Sequence, residues 1–144
     1  MIRASSILRA GTWRGPAAQS VTLDYGRRFR RRLRLTTAQG GEVLLDLPEA
    51  QHIHEGDALA LEDGGLVLVH AAAEDLLEIT VPGADALARL AWHLGNRHLS
   101  VQFLPGALRI LDDHVIAAMV EQLGGQVRRL TAPFDPESGA YDHG

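Results

Sequence analysis

LLEITVPGADALARLAWHLGNRHLSVQF, residues 76–103, decides how the chain is read. Leu76–Val81 is a short apolar run stopped by Pro82-Gly83, which predicts a strand. Ala84–Leu94 then changes period. Leu87, Leu90, Ala91 and Leu94 fall three and four residues apart, as on one helix face, and Gly95 is a C-terminal stop signal. Leu99–Leu104 returns to strand. His98 is left at the junction of helix and strand, where a side chain can leave the core. A single imidazole there is either a surface residue or half of a site completed from elsewhere.

Toward the C-terminus, Pro105-Gly106 is a turn and Ala107–Leu111 a further strand. Asp112 or Asp113 can cap a helix running to about Leu123, whose apolar face is Val115, Ile116, Met119, Val120 and Leu123. Gly124-Gly125 ends it and Gln126–Thr131 is a last strand. The resulting β-α-β-β-α-β order is the split arrangement of ferredoxin-like domains. The closing FDPESGAYDHG has little to bury and carries proline and glycine, so 135–144 is expected to be a flexible tail.

Toward the N-terminus the pattern is β throughout. In Arg28–Leu35 period two places Phe29, Arg31, Leu33 and Leu35 on one face, and Arg28, Arg30, Arg32 and Arg34 on the other. Thr36–Gly41 is a turn and Glu42–Leu47 a second strand. Ala58–Glu62 and Leu66–His70 flank the hairpin signal Asp63-Gly64-Gly65. Short strands punctuated by glycine suggest a small sandwich or open barrel ending near residue 73. The fold class expected is therefore α+β: an all-β domain over 1–73, a ferredoxin-like domain over 74–134, and the tail.

Composition narrows the chemistry. At 144 residues the chain fits one domain or two small ones, and its net charge is −4. It has no cysteine, which excludes disulfides and thiolate metal sites. A transition-metal site must then be built from imidazole, carboxylate and water. All 14 basic residues are arginine, so a catalytic lysine, a Schiff base and a phosphate-loop lysine are excluded. No apolar run approaches the ~20 residues of a membrane helix. MIRASSILRAGTW lacks the apolar core of a secretory signal, and a cytoplasmic protein is expected.

Asp112-Asp113 reads better as a helix cap than as a catalytic dyad, because neighbours on a helix project about 100° apart. His114 is a solvated helix residue or a secondary metal ligand. His93 and His98 cannot serve one metal if both are helical, and His93 reads as structural. His52 and His54 share a face if they lie in a strand, but their surroundings suit an exposed loop; His70 reads as structural. The arginine face is a solvated surface, a dock for an acidic protein or, least in keeping with the negative net charge, a phosphate grip.

Trp92-His93-Leu94-Gly95-Asn96-Arg97-His98, followed by Val101-Gln102, Leu108-Arg109, Asp113-His114-Val115 and Phe134-Asp135-Pro136-Glu137, with Gly139-Ala140-Tyr141 beyond, resembles the UreE family of urease accessory nickel metallochaperones. Leu47-Pro48 and Glu55-Gly56-Asp57 resemble its first domain. The resemblance implies a non-enzymic homodimer joined through the C-terminal domain, carrying Ni(II) for assembly of the urease active site. It implies that His98 meets its twin across the dimer axis, that a tail histidine, here His143, completes the site, and that His114 is a secondary candidate. Zn(II) and Cu(II) are expected competitors in vitro, since neutral imidazole suits all three ions. The implied partners are the family's accessory GTPase and the urease apoprotein complex, with no nucleic acid and no membrane. The rival reading is a protein-docking or peptide-binding module acting through the β domain, with an incidental metal site. A hydrolytic metalloenzyme would need a fixed base beside an open coordination position, and no candidate base has useful spacing.

Overall fold

The computed structural model describes residues 1–137. Two compact units divide between Ala72 and Ala73.

The first unit is one six-stranded sheet built from β1 (Ile2–Leu8), β2 (Gln19–Leu23), β3 (Phe29–Thr36), β4 (Glu42–His52), β5 (Ala58–Leu61) and β6 (Leu66–Ala71), in the order β2-β6-β5-β1-β4-β3. β1 pairs with β4, and β2 with β6, in parallel; the other pairs are antiparallel. All six strands send apolar side chains into one cluster that includes Ala4, Val21, Leu35, Val43, Leu45, Leu59 and Val67. A single sheet can gather its two edges around one core only by curling. That makes it an open barrel rather than a sandwich. The turn after β3 helps close it: Ala38 N–H donates to Ser20 O at 2.8 Å and Thr37 Oγ1 to Gln19 Oε1 at 2.8 Å.

Two features break the period-two reading of the arginine strand. Gly26–Arg28 is a 3₁₀ turn, and a bulge interrupts the β3–β4 register between Arg30 and Arg32. Arg28 therefore does not join an exposed face with Arg30, Arg32 and Arg34. It is 2% exposed, with Nε donating to Leu23 O at 3.1 Å and Nη1 to Ile53 O at 3.0 Å. Buried carbonyls recruit this guanidinium because unpaired polar groups in a core are costly.

The second unit runs β7 (Ala73–Thr80), α1 (Ala84–Asn96), β8 (Gln102–Leu104), β9 (Ala107–Leu111), α2 (His114–Gln122) and β10 (Gln126–Pro133). Its sheet order, β10-β7-β9-β8, is entirely antiparallel and is that of a ferredoxin-like domain. Leu77, Ile79, Leu108 and Ile110 from the sheet meet Leu90 and Leu94 of α1 and Ile116, Ala117 and Val120 of α2 in one core. Burying each of these leucine, isoleucine and valine side chains contributes roughly 2 kcal/mol. Asp113 is the N-cap of α2, its Oδ1 accepting from Val115 N–H at 2.9 Å and Ile116 N–H at 3.2 Å. Capping thus accounts for one of the two aspartates.

Residues 134–137 differ from the mobile stretch that their composition suggests. Phe134 is fully buried, and Glu137 exchanges two backbone hydrogen bonds with Val101, both at 2.9 Å. Asp135 N–H also donates to Gln102 Oε1 at 3.3 Å. One buried aromatic ring removes about 200 Å² from water, enough to offset the ordering of a few residues.

Candidate metal centre

His98 is set by the way α1 ends. The helix does not stop at Gly95, which remains inside it; the turn out of the helix is taken at residue 98. His98 N–H donates to Gly95 O at 3.0 Å, and Leu99 N–H reaches back to Leu94 O at 3.2 Å. This pair of bonds is a Schellman motif with His98 at C′, the position where the chain turns left-handed. Leu99 and Leu94 lie in the same core cluster, supplying the apolar contact that accompanies the motif. His98 has φ 63°, and no other described residue except glycine has a positive φ. An L side chain in this region costs about 1–2 kcal/mol, and glycine is the usual occupant. The histidine is exposed, so it is displayed from a strained backbone rather than retained for packing.

The other sequence candidates are distributed. His114 is the first residue of α2, exposed and directly after the capping Asp113. His143 lies outside the described residues, as does the rest of 138–144. Among the described residues no three His, Cys, Asp or Glu side chains converge as a metal site. Among the described residues, therefore, His98 and His114 are not brought together with a third donor.

The remaining histidines are built into the scaffold. His93 lies edge-on to Trp92, ring centroids 5.1 Å apart. His52 is not on a loop: it ends β4 and stacks on Phe29 at 3.9 Å, with Tyr25 at 5.8 Å and His54 at 6.5 Å. His70 Nδ1 lies 2.9 Å from Glu55 Oε2.

Two polar clusters escaped the sequence reading. Asp57 is 1% exposed, accepting from Arg9 Nη1 at 2.9 Å and from the backbone N–H groups of Ala10 and His54, each at 2.8 Å. On the sheet of the second unit, Arg128 on β10, Glu78 on β7 and Arg109 on β9 stand in one row. The Arg128 Nη2–Glu78 Oε2 contact is 2.7 Å and the Arg109 Nη2–Glu78 Oε1 contact 2.9 Å. Hydrogen bonds from Arg128 and then Arg109 hold the Glu78 carboxyl below its ordinary pKa, against the opposing effect of burial. Antiparallel register was the signal for this row, since it aligns residues far apart in sequence.

Comparison with known proteins bears on the whole chain. The family model described as the UreE urease accessory protein N-terminal domain matches residues 4–72, and that for the UreE C-terminal domain matches residues 74–144. The urease accessory protein UreE of Beijerinckia indica subsp. indica is 51% identical over 141 residues, covering 98% of this chain and 82% of the relative. The protein of the same name from Bradyrhizobium sp. (strain ORS 278) is 55% identical over 98% of this chain and 67% of its own length. That from Rhodobacter capsulatus is 50% identical over 100% of this chain and 89% of its own length.

Proposed function

The chain belongs to the UreE family of urease accessory proteins, and from that premise we propose that it is a dimeric, non-catalytic carrier that delivers Ni(II) during urease maturation. The observation that carries the reading is the left-handed backbone at His98. A fold that keeps histidine where glycine would be cheaper is using the imidazole. One imidazole is a weak metal site, but His98 and its counterpart in a second copy make a pair, and nickel accepts neutral imidazole readily.

Two further features support this arrangement. The large exposed apolar residues of the described chain, apart from Met1, are Trp92, Phe103, Leu111, Val115 and Leu123, all in the second unit. That concentration suits a dimer joined through the ferredoxin-like domain. The hydrogen bonds between Glu137 and Val101 tie the last described residue to a position three residues after His98. His143 is the sixth residue after Glu137, a reach of about 20 Å if extended. His143 is thus within range as a third ligand, and its departure would release the ion. His114 is the secondary ligand of this proposal. The accessory GTPase and the urease apoprotein complex are the proposed recipients, in the cytoplasm. No helix among the described residues is long and apolar enough to cross a membrane.

Calorimetric Ni(II) titration of the intact chain, His98→Ala, and a chain ending at Glu137 tests the proposal. The expected result is about one ion per two chains, abolished in His98→Ala and weakened by the truncation. Undiminished nickel binding in His98→Ala would refute the reading.

A further inference from the structure

The face of β3 and β4 that lies away from the barrel core carries cations that the metal reading leaves unused. Arg32 and Arg34 are two residues apart on β3, so their side chains leave the same face with bases about 7 Å apart. Across the ladder Arg32 faces Asp46 and Arg34 faces Leu44 of β4, while Arg3 of β1 lies beyond Leu44. The Asp46 carboxylate is shared by Arg3 at 3.5 Å and Arg31 at 3.7 Å, both longer than a good hydrogen bond. Among the described residues neither Arg32 nor Arg34 pairs with a carboxylate. An open groove of about 470 Å³ lies here, lined by Met1, Arg32, Leu33, Arg34 and Leu44. β3 is also the outermost strand, with β4 its only strand partner among the described residues.

We propose that this groove docks an extended acidic segment of a partner protein, with carboxylates two residues apart placed on Arg32 and Arg34 and a neighbouring apolar side chain resting on Met1 and Leu44. The strand repeat fixes the match: in an extended segment alternate side chains share a face at the spacing the two arginines present. Arginine suits the task because its planar fork donates two N–H bonds to a carboxylate in bidentate fashion. The same cations repel a second β3 edge, so the exposed strand rejects its own kind while admitting an acidic one. A nucleic acid fits less well. The groove walls between the arginines are aliphatic and offer no ring for base stacking. The surface stands independently of nickel binding and survives the failure of that reading.

Fluorescence anisotropy tests it with a labelled peptide of Glu-Thr-Glu-Val repeats, beside a Lys-Thr-Lys-Val peptide and a labelled oligothymidine. The proteins compared are the intact chain, Arg32→Glu/Arg34→Glu, Arg32→Gln/Arg34→Gln, and Arg14→Glu as an exposed control in the same unit. Saturable binding of the acidic peptide is expected. It should weaken by at least about tenfold on double charge reversal, less with glutamine, and under about twofold in the control. Nickel stoichiometry should be the same in all four proteins. The proposal is overturned by equal binding to the double variants, by absence of saturable binding of the acidic peptide, or by oligothymidine binding as tightly with the same arginine dependence.

Discussion

Arg28 and His98 belong to different halves of the chain and are held in opposite ways. Arg28 looks in sequence like one member of an exposed cationic stripe, yet it is buried and its guanidinium serves two main-chain carbonyls. His98 looks like an ordinary residue after a helix stop, yet its backbone is left-handed and its ring is displayed. The contrast separates polar residues that the fold consumes from those that it presents. Among the described residues no buried side-chain nitrogen or oxygen lacks a partner, so the first unit's buried polar groups are fully used in holding it together. Strain without burial is the signature of the second kind.

Substitutions sharpen this contrast, and Asp57 should show the largest effect. Asp57→Ala strands two main-chain N–H groups and Arg9, and should cost about 3–4 kcal/mol in urea unfolding. Arg28→Met keeps much of the buried stem but removes the guanidinium donor from Ile53 O, while Leu23 O keeps the Ala72 N–H at 2.8 Å, so the cost should be about 1–3 kcal/mol. Arg34→Met, from the same arginine run, should stay within about 0.5 kcal/mol. If Arg28→Met and Arg34→Met proved equal, the distinction between consumed and presented side chains would collapse.

Glu78 gives an intermediate effect with a definite pH sign. Its folded-state pKa lies below its ordinary value of 4.5, first through the Arg128 hydrogen bond and then through Arg109. Its contribution is therefore present in full above the ordinary value and fades as pH falls through the depressed one. Glu78→Gln should lose about 1 kcal/mol at pH 7, a modest figure because Arg128 is largely exposed. The gap from the intact chain should narrow in acid; a gap that widened there would reverse the sign and exclude this cause. His114→Ala should be the mildest, within about 0.5 kcal/mol in stability and with only a small loss of nickel affinity.

Much of the fold was legible because its signals are local. Pro82-Gly83, Asp63-Gly64-Gly65 and the capping Asp113 each specify a turn or helix end within a few residues. Arg28 was misplaced because a 3₁₀ turn and a bulge break the alternation from which its face was read. Phe134 was read with a closing stretch that has little to bury, because proline and glycine around it mask the one ring that buries completely. For the candidate site, the position of His98 at a helix–strand junction could be read directly. Its backbone strain could not, because the glycine rule pointed to Gly95, whereas the left-handed turn falls at residue 98. That outcome depends on Leu99 reaching the same cluster as Leu94, a tertiary contact that no local pattern encodes.

The most direct test is His98→Gly, with unfolding free energy and nickel binding measured on one preparation. Relief of a left-handed side chain gains about 1–2 kcal/mol, and the extra freedom of glycine when unfolded takes back about 0.5–1 kcal/mol. The account therefore expects a protein more stable by about 0.5–1 kcal/mol that no longer binds nickel at the dimer stoichiometry. A variant that kept its nickel would contradict it, and so would one that lost nickel with no gain in stability, because the histidine would then not be held at a cost for the metal.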